Sequence, residues 1–131
     1  MQTNLRRDDL IYPDLSYKII GCAYDVFNEL GFGHHEKFYQ KALAIAFRKK
    51  GLAFKEQVYK ALKFQDEIVG KLFFDFIVED KIVVELKKSN FYSKINIEQV
   101  NEYLKTSKIQ LALLINFTPN GIIYKRLLNI I

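Results

Sequence analysis

Hydrophobic positions along the chain change period three times, and each change marks an element boundary. From Leu15 to Leu30 the apolar residues Leu15, Ile19, Ala23, Val26, Phe27 and Leu30 recur at helical spacing, with Asp14 or Ser16 suited to the N-cap and Gly31 to the C-terminal stop. After the turn Gly31-Phe32-Gly33-His34-His35, a second helix runs from about Glu36 to Lys50. Its inward stripe is Ala42, Leu43, Ala46 and Phe47, Gly51 closes it, and Glu36 falls in its first turn. Strand-like sequence follows. Ala53 to Val58 and Tyr59 to Phe64 read as one bent strand or two, Gln65-Asp66-Glu67 is a polar break, and Ile68 to Lys87 is a long hairpin. A third helix spans about Ile95 to Ser107, with Ile97, Val100 and Leu104 inward and Gln99 and Tyr103, four apart, flanking that stripe. Leu111-Ala112-Leu113-Leu114-Ile115 is apolar throughout, as a central strand covered on both faces should be. Thr118-Pro119-Asn120-Gly121 then turns the chain into a short strand, Ile122 to Arg126. The order predicts an α/β fold with a central mixed sheet flanked by helices. The strand–helix–strand crossover would make the strands at 82–87 and 111–115 parallel.

Three charges interrupt the two apolar runs of the hairpin: Asp75 in Leu72 to Val78, and Glu85 and Lys87 in Ile82 to Lys87. Removing a carboxylate from water costs several kcal/mol unless a cation or good hydrogen bonds compensate. A three-residue loop, Glu79-Asp80-Lys81, makes Val78 face Ile82 and so sets Asp75 opposite Glu85. Period-2 alternation then places Lys87, Phe73, Ile77 and Val83 on the face of the two acids, and Phe74, Phe76, Val84 and Leu86 on the other. Like charges opposed across a hairpin destabilise it, a cost that a divalent cation between them would offset. The competing account is a solvated hairpin face carrying an ordinary Lys–Glu pair.

Composition narrows the setting. A chain of 131 residues with 50% hydrophobic content builds one core, so we expect a lead-in arm over 1–12 and a single domain over 13–131. The one cysteine, Cys22, has no partner for an internal disulfide and sits in an apolar helical pattern, which suits a buried thiol. No stretch is long and apolar enough to span a bilayer and the first residues lack the hydrophobic region of a signal peptide, so a cytoplasmic protein without membrane contact is expected. Lys and Arg number 20 against 15 Asp and Glu, and the resulting +5 favours a polyanionic partner.

An acid, followed by an acid with a lysine two residues on, resembles the PD-(D/E)xK nuclease superfamily. Within it the chain resembles the GxxExxY family: Gly33, Glu36 and Tyr39 fit the naming motif, followed in order by Asp75, Glu85-Leu86-Lys87, Gln99-Val100-Asn101-Glu102-Tyr103-Leu104, Leu114-Ile115-Asn116-Phe117 and Gly121. The match runs from about Leu15 to Leu127, and Gln99 with Tyr103 resembles the QxxxY element of the RecB-like branch. Phe74 stands where the nominal motif has proline, a residue that binds nothing. The resemblance implies a restriction-endonuclease-like fold and Mg2+- or Mn2+-dependent phosphodiester cleavage, with DNA the favoured substrate.

On that resemblance, Glu36, Asp75 and Glu85 would bind metal. Lys87 would position or deprotonate the attacking water, Gln99 would hold Lys87 or the nucleophile, and Tyr103 would contact the nucleic-acid backbone or brace its helix. His34 and His35 could reach a phosphate or add a metal ligand. Among Lys37, Lys41, Lys88, Lys94, Lys105, Lys108, Lys125 and Arg126, the pair Lys88 and Lys94 brackets the loop nearest the site and is the best candidate for substrate contact. A homodimer is one way for so small a domain to grip a duplex. Two rival classes stand beside the nuclease: a non-catalytic nucleic-acid-binding or assembly module that keeps the fold, and a hydrolase of small phosphate compounds, which would need a closed pocket.

Overall fold

The computed structural model describes residues 11–129, so the predicted arm over 1–12 lies outside the described residues except for Ile11 and Tyr12. The elements are α1 (Pro13–Leu30), α2 (Glu36–Lys49), β1 (Phe54–Phe64), β2 (Glu67–Val78), β3 (Ile82–Lys88), α3 (Lys94–Thr106), β4 (Leu111–Thr118) and β5 (Gly121–Leu128). The strands form one mixed sheet in the order β1-β2-β3-β4-β5. Every contact between neighbours is antiparallel except β3–β4, which runs parallel from Ile82↔Leu111 to Lys88↔Phe117, as the crossover through α3 requires.

Helices cover both faces. Ile19, Cys22 and Phe47 of α1 and α2 pack on Phe76, Val84, Leu86 and Ile115, while Val100 and Leu104 of α3 pack on Ile77, Val83 and Leu114. All eight residues of β4 are therefore buried, which is why its sequence shows no alternation. Cys22 is a fully buried free thiol, and burial pushes its pKa up.

Two local details differ from the sequence reading. Helix α1 begins at Pro13, whose fixed φ suits a first helical position, and neither Asp14 nor Ser16 is its N-cap. Ser16 lies inside the helix, where its Oγ donates to the Tyr12 carbonyl at 2.7 Å and accepts from Arg126 Nη1 at 2.9 Å. A stretch left open in the sequence, residues 54–64, is one strand, and the turn at Gln65 and Asp66 has positive φ at both residues (51° and 67°), the form that matches strand twist in a hairpin.

The larger correction concerns faces. Phe74 does not share a face with Phe76, Val84 and Leu86; it packs with Leu72 and Tyr103 on the α3 side. Phe73, expected beside the acids, is 55% exposed. The cause lies at Asp75, where the alternation inverts. Gln57, which the β1–β2 register would set opposite Asp75, adopts a left-handed φ of 51° and drops out of the pairing, while Glu56↔Phe76 and Val58↔Phe74 continue on either side. The strand pair twists there, and its outer half turns relative to the main sheet.

Candidate active site

The site forms where two strands part. β2 and β3 pair at Val78↔Ile82, Ile77↔Val83 and Phe76↔Val84, and the ladder then stops. The next pair would be Asp75 and Glu85, the two acids that the three-residue loop sets opposite each other. Their side chains replace the missing ladder partners. The Asp75 N–H donates to Glu85 Oε1 at 3.1 Å, and the Leu86 N–H donates to Asp75 Oδ2 at 2.8 Å. Two main-chain donors that a split sheet would leave unsatisfied are thus served by carboxyl oxygens.

Burial dominates the electrostatics. Glu85 is 6% exposed and its pKa is pushed up to about 8, first by desolvation and then by the charge of Asp75 beside it. Asp75 is also raised, again mainly by desolvation. Lys87 acts on both in the opposite sense, its positive charge favouring the ionised forms. Two acids that resist being charged together, beside an amine, form a site whose charge balance a cation would complete.

Glu36 arrives from the other helical layer. It is the first residue of α2, and its Oε2 accepts from the Lys88 N–H at 2.9 Å, which ties the helix start to the end of β3. Its negative charge contributes a smaller upward push on Asp75. The turn that delivers it is built by its neighbours. Gly33 takes a φ of 113°, open to glycine and strained for other residues. Tyr39 is fully buried, stacks on Phe117 at 4.3 Å between ring centroids, donates from its hydroxyl to the Gly31 carbonyl at 2.5 Å and accepts from the His34 N–H at 3.3 Å. In the Gly33…Glu36…Tyr39 segment, Glu36 reaches the end of β3.

The remaining candidates divide. His34 is tied into the turn, with Nε2 at 2.9 Å from the Leu30 carbonyl and its ring edge-on to Tyr39, whereas His35 occupies the N-cap position of α2 against Phe38. Lys87 is half-buried and pairs in register with Asn116 of β4. Gln99 is half-buried and its side chain makes no hydrogen bond among the described residues, so its amide is free to serve another group. Tyr103 is 7% exposed with its ring 4.7 Å from that of Phe74, which braces α3 on β2. Lys88 and Lys94 are exposed, Lys88 with its ammonium 5.4 Å from the centre of the Phe32 ring. Arg126 points elsewhere: it joins β5 to α1 through Ser16 and the Ile11 carbonyl.

Asn116 is the residue that sequence reasoning left without a role. Buried to 2% exposure, its Nδ2 donates to the Ser89 and Phe91 carbonyls at 3.2 and 2.8 Å, latching the β3–α3 loop beside Lys87. A polar residue inside an otherwise apolar strand was the available signal.

Among the described residues, no three His, Cys, Asp or Glu side chains converge as a ready metal cluster. Asp75 and Glu85 meet as a pair, while Glu36 is engaged at the Lys88 N–H. The donor set nevertheless suits a hard divalent cation: two carboxyls whose joint ionisation is opposed, offering oxygen to an ion that keeps several of its own waters.

Comparison with known proteins agrees with this architecture. No curated protein matches the sequence. The crystal structure of SSO0001 superposes with a TM-score of 0.54 at 17% identity, covering 72% of this chain and 50% of that one, so the chain spans half the length of that protein. An alkaline exonuclease from Laribacter hongkongensis aligns over 88% of this chain and 82% of its own, at 13% identity and a TM-score of 0.39. The family model of the PD-(D/E)XK nuclease superfamily matches residues 13–126, nearly the whole described region, and the chain belongs to that superfamily.

Proposed function

We propose that this chain hydrolyses phosphodiester bonds in nucleic acid, with DNA the favoured substrate, using Asp75 and Glu85 to hold Mg2+ or Mn2+. One observation carries the reading: the buried carboxyl of Glu85 and the half-buried carboxyl of Asp75 meet at the point where β2 leaves β3, with a lysine charge acting on both. What the ion supplies when bound is Lewis acidity and a water made easier to deprotonate.

The chain's own groups do the rest. Asp75 and Glu85 would hold the ion through their carboxyl oxygens. Lys87 orients the attacking water and offsets negative charge gathering on the phosphoryl oxygens. Gln99, with its amide uncommitted, holds Lys87 or the water in place. Glu36, held at the Lys88 N–H, would be the further oxygen donor to the ion. Tyr103 positions α3, while Lys88, Lys94, His34 and His35 line the approach, the two lysines drawing in the phosphate backbone.

The test is cleavage of single- and double-stranded DNA and RNA with Mn2+, run beside Lys87→Ala. Wild-type cleavage lost in the variant supports the reading. Absence of cleavage together with no calorimetric heat of Mn2+ binding, in wild type as in Asp75→Ala, leaves a nucleic-acid-binding module that has kept the fold.

A further inference from the structure

Among the described residues, the outer half of the β1–β2 hairpin is covered on one face and exposed on the other. β2 has a strand neighbour on its β3 side only from Phe76 to Val78, so the segment from Glu67 to Asp75 leaves the sheet as a two-stranded arm. Its α3-side face, with Leu72 and Phe74, is packed against Val100 and Tyr103. Its other face carries Tyr59 and Phe73 directly opposite each other, rings 5.2 Å apart, and these are 48% and 55% exposed. Lys71, paired with Ala61, continues that face, and Lys63 follows by alternation on β1. No acid lies on this face between the aromatic pair and the turn at Gln65 and Asp66.

An exposed aromatic pair followed by lysines has the two parts that unpaired nucleotides require: a flat apolar surface for a base and positive charge for the backbone. An arm meant only for solvent would carry polar groups where Tyr59 and Phe73 stand. Position sharpens the point. Phe73 precedes Asp75 by two residues, about 7 Å of strand. The platform therefore lies on the strand that carries Asp75.

We infer that the Tyr59–Phe73 face of this arm is a stacking platform for single-stranded nucleic acid, holding unpaired bases next to the scissile phosphate. The inference rests on the nuclease reading for the word scissile, yet the platform is measurable without turnover. A strand with free bases can lie on it, whereas a blunt duplex keeps its bases stacked on one another and gains nothing from the rings.

The experiment is fluorescence anisotropy with a labelled single-stranded oligonucleotide and a blunt duplex of the same sequence, in Ca2+ to suppress cleavage, on the full chain. Tyr59→Ala/Phe73→Ala should bind the single strand about ten- to a hundredfold more weakly, with duplex affinity unchanged within about twofold. Tyr59→Phe and Phe73→Tyr, which keep the rings, should bind like wild type, and Tyr59→Leu/Phe73→Leu should not. Circular dichroism confirms folding of each variant, and the leucine pair, which keeps apolar bulk, covers misfolding of the alanine pair. The inference is overturned by wild type that binds no single strand, by equal losses on both substrates, or by leucine variants that bind normally. It is overturned equally if wild type sediments as a dimer that the double substitution dissociates, since a second copy then occupies the face. Loss of binding in the variant with no cleavage by wild type keeps the platform and removes the nuclease. Cleavage of single strands undiminished in the variant does the reverse.

Discussion

Strand β3 has two edges, and they behave differently. Against β4 it pairs without interruption from Ile82 to Lys88 and is apolar until Lys87 apart from Glu85; against β2 it keeps only three pairs before the ladder opens. One edge is a continuous buried seam that holds position. The other gives up main-chain pairing and fills the vacated hydrogen-bond positions with carboxyl oxygens. Rigidity on one side of Glu85 is what permits an opening on the other.

Cutting each edge in turn should separate these roles. The largest effect is on the open edge: Glu85→Gln should reduce cleavage by about three orders of magnitude in a Mn2+-dependent assay while the protein stays folded. On the closed edge, Leu114→Ala, at the position paired with Glu85 and 1% exposed, should cost about 2–5 kcal/mol in urea denaturation. Little change in either measurement would show that the two edges are not divided as described.

A subtler contrast is in pH. The folded protein holds the Glu85 proton up to about pH 8, whereas an ordinary glutamate releases it near 4.5. The raised folded-state pKa means that the unfolded chain binds fewer protons across this interval, so stability is greatest below it, falls as pH rises, and the loss is complete above about 8. We expect the melting temperature of EDTA-treated protein to fall from pH 5 to 9, by an amount on the order of a few kcal/mol in stability, and Glu85→Gln to flatten the decline. Added Mn2+ at pH 8.5 should restore the lost stability in wild type alone.

The smaller effects concern the surroundings. Tyr39→Phe keeps the stack on Phe117 but removes both hydroxyl hydrogen bonds, and should cost about 1 kcal/mol in thermal unfolding. Lys88→Ala with Lys94→Ala should lower the slope of log affinity against log salt by at most about two, leaving the cleavage rate at saturation nearly unchanged.

The sequence made the hairpin register readable because three loop residues fix it, and made the β3–β4 crossover readable because a helix separates two apolar runs. The proximity of Asp75 and Glu85 follows from that register. The inversion at Asp75 was not readable: it depends on Gln57 entering the left-handed region, and glutamine carries no signal for that. Phe73 and Phe74 were consequently assigned to each other's surroundings. Ser16 looked like a cap because serine favours caps, and its engagement with Arg126 joins positions too distant in sequence for any local pattern to reveal. Nor does a composition count show that Glu36 meets the Lys88 N–H, since that contact depends on how α2 is seated.

Asn116 gives the molecule a mechanical coupling. Because its amide grips the carbonyls of Ser89 and Phe91 while its backbone runs beside Lys87, the β3–α3 loop and that lysine are indexed to one strand. A slip of β4 would carry loop and lysine out of line together, so the alignment of Lys87 with its loop is inherited from the most deeply buried strand of the sheet.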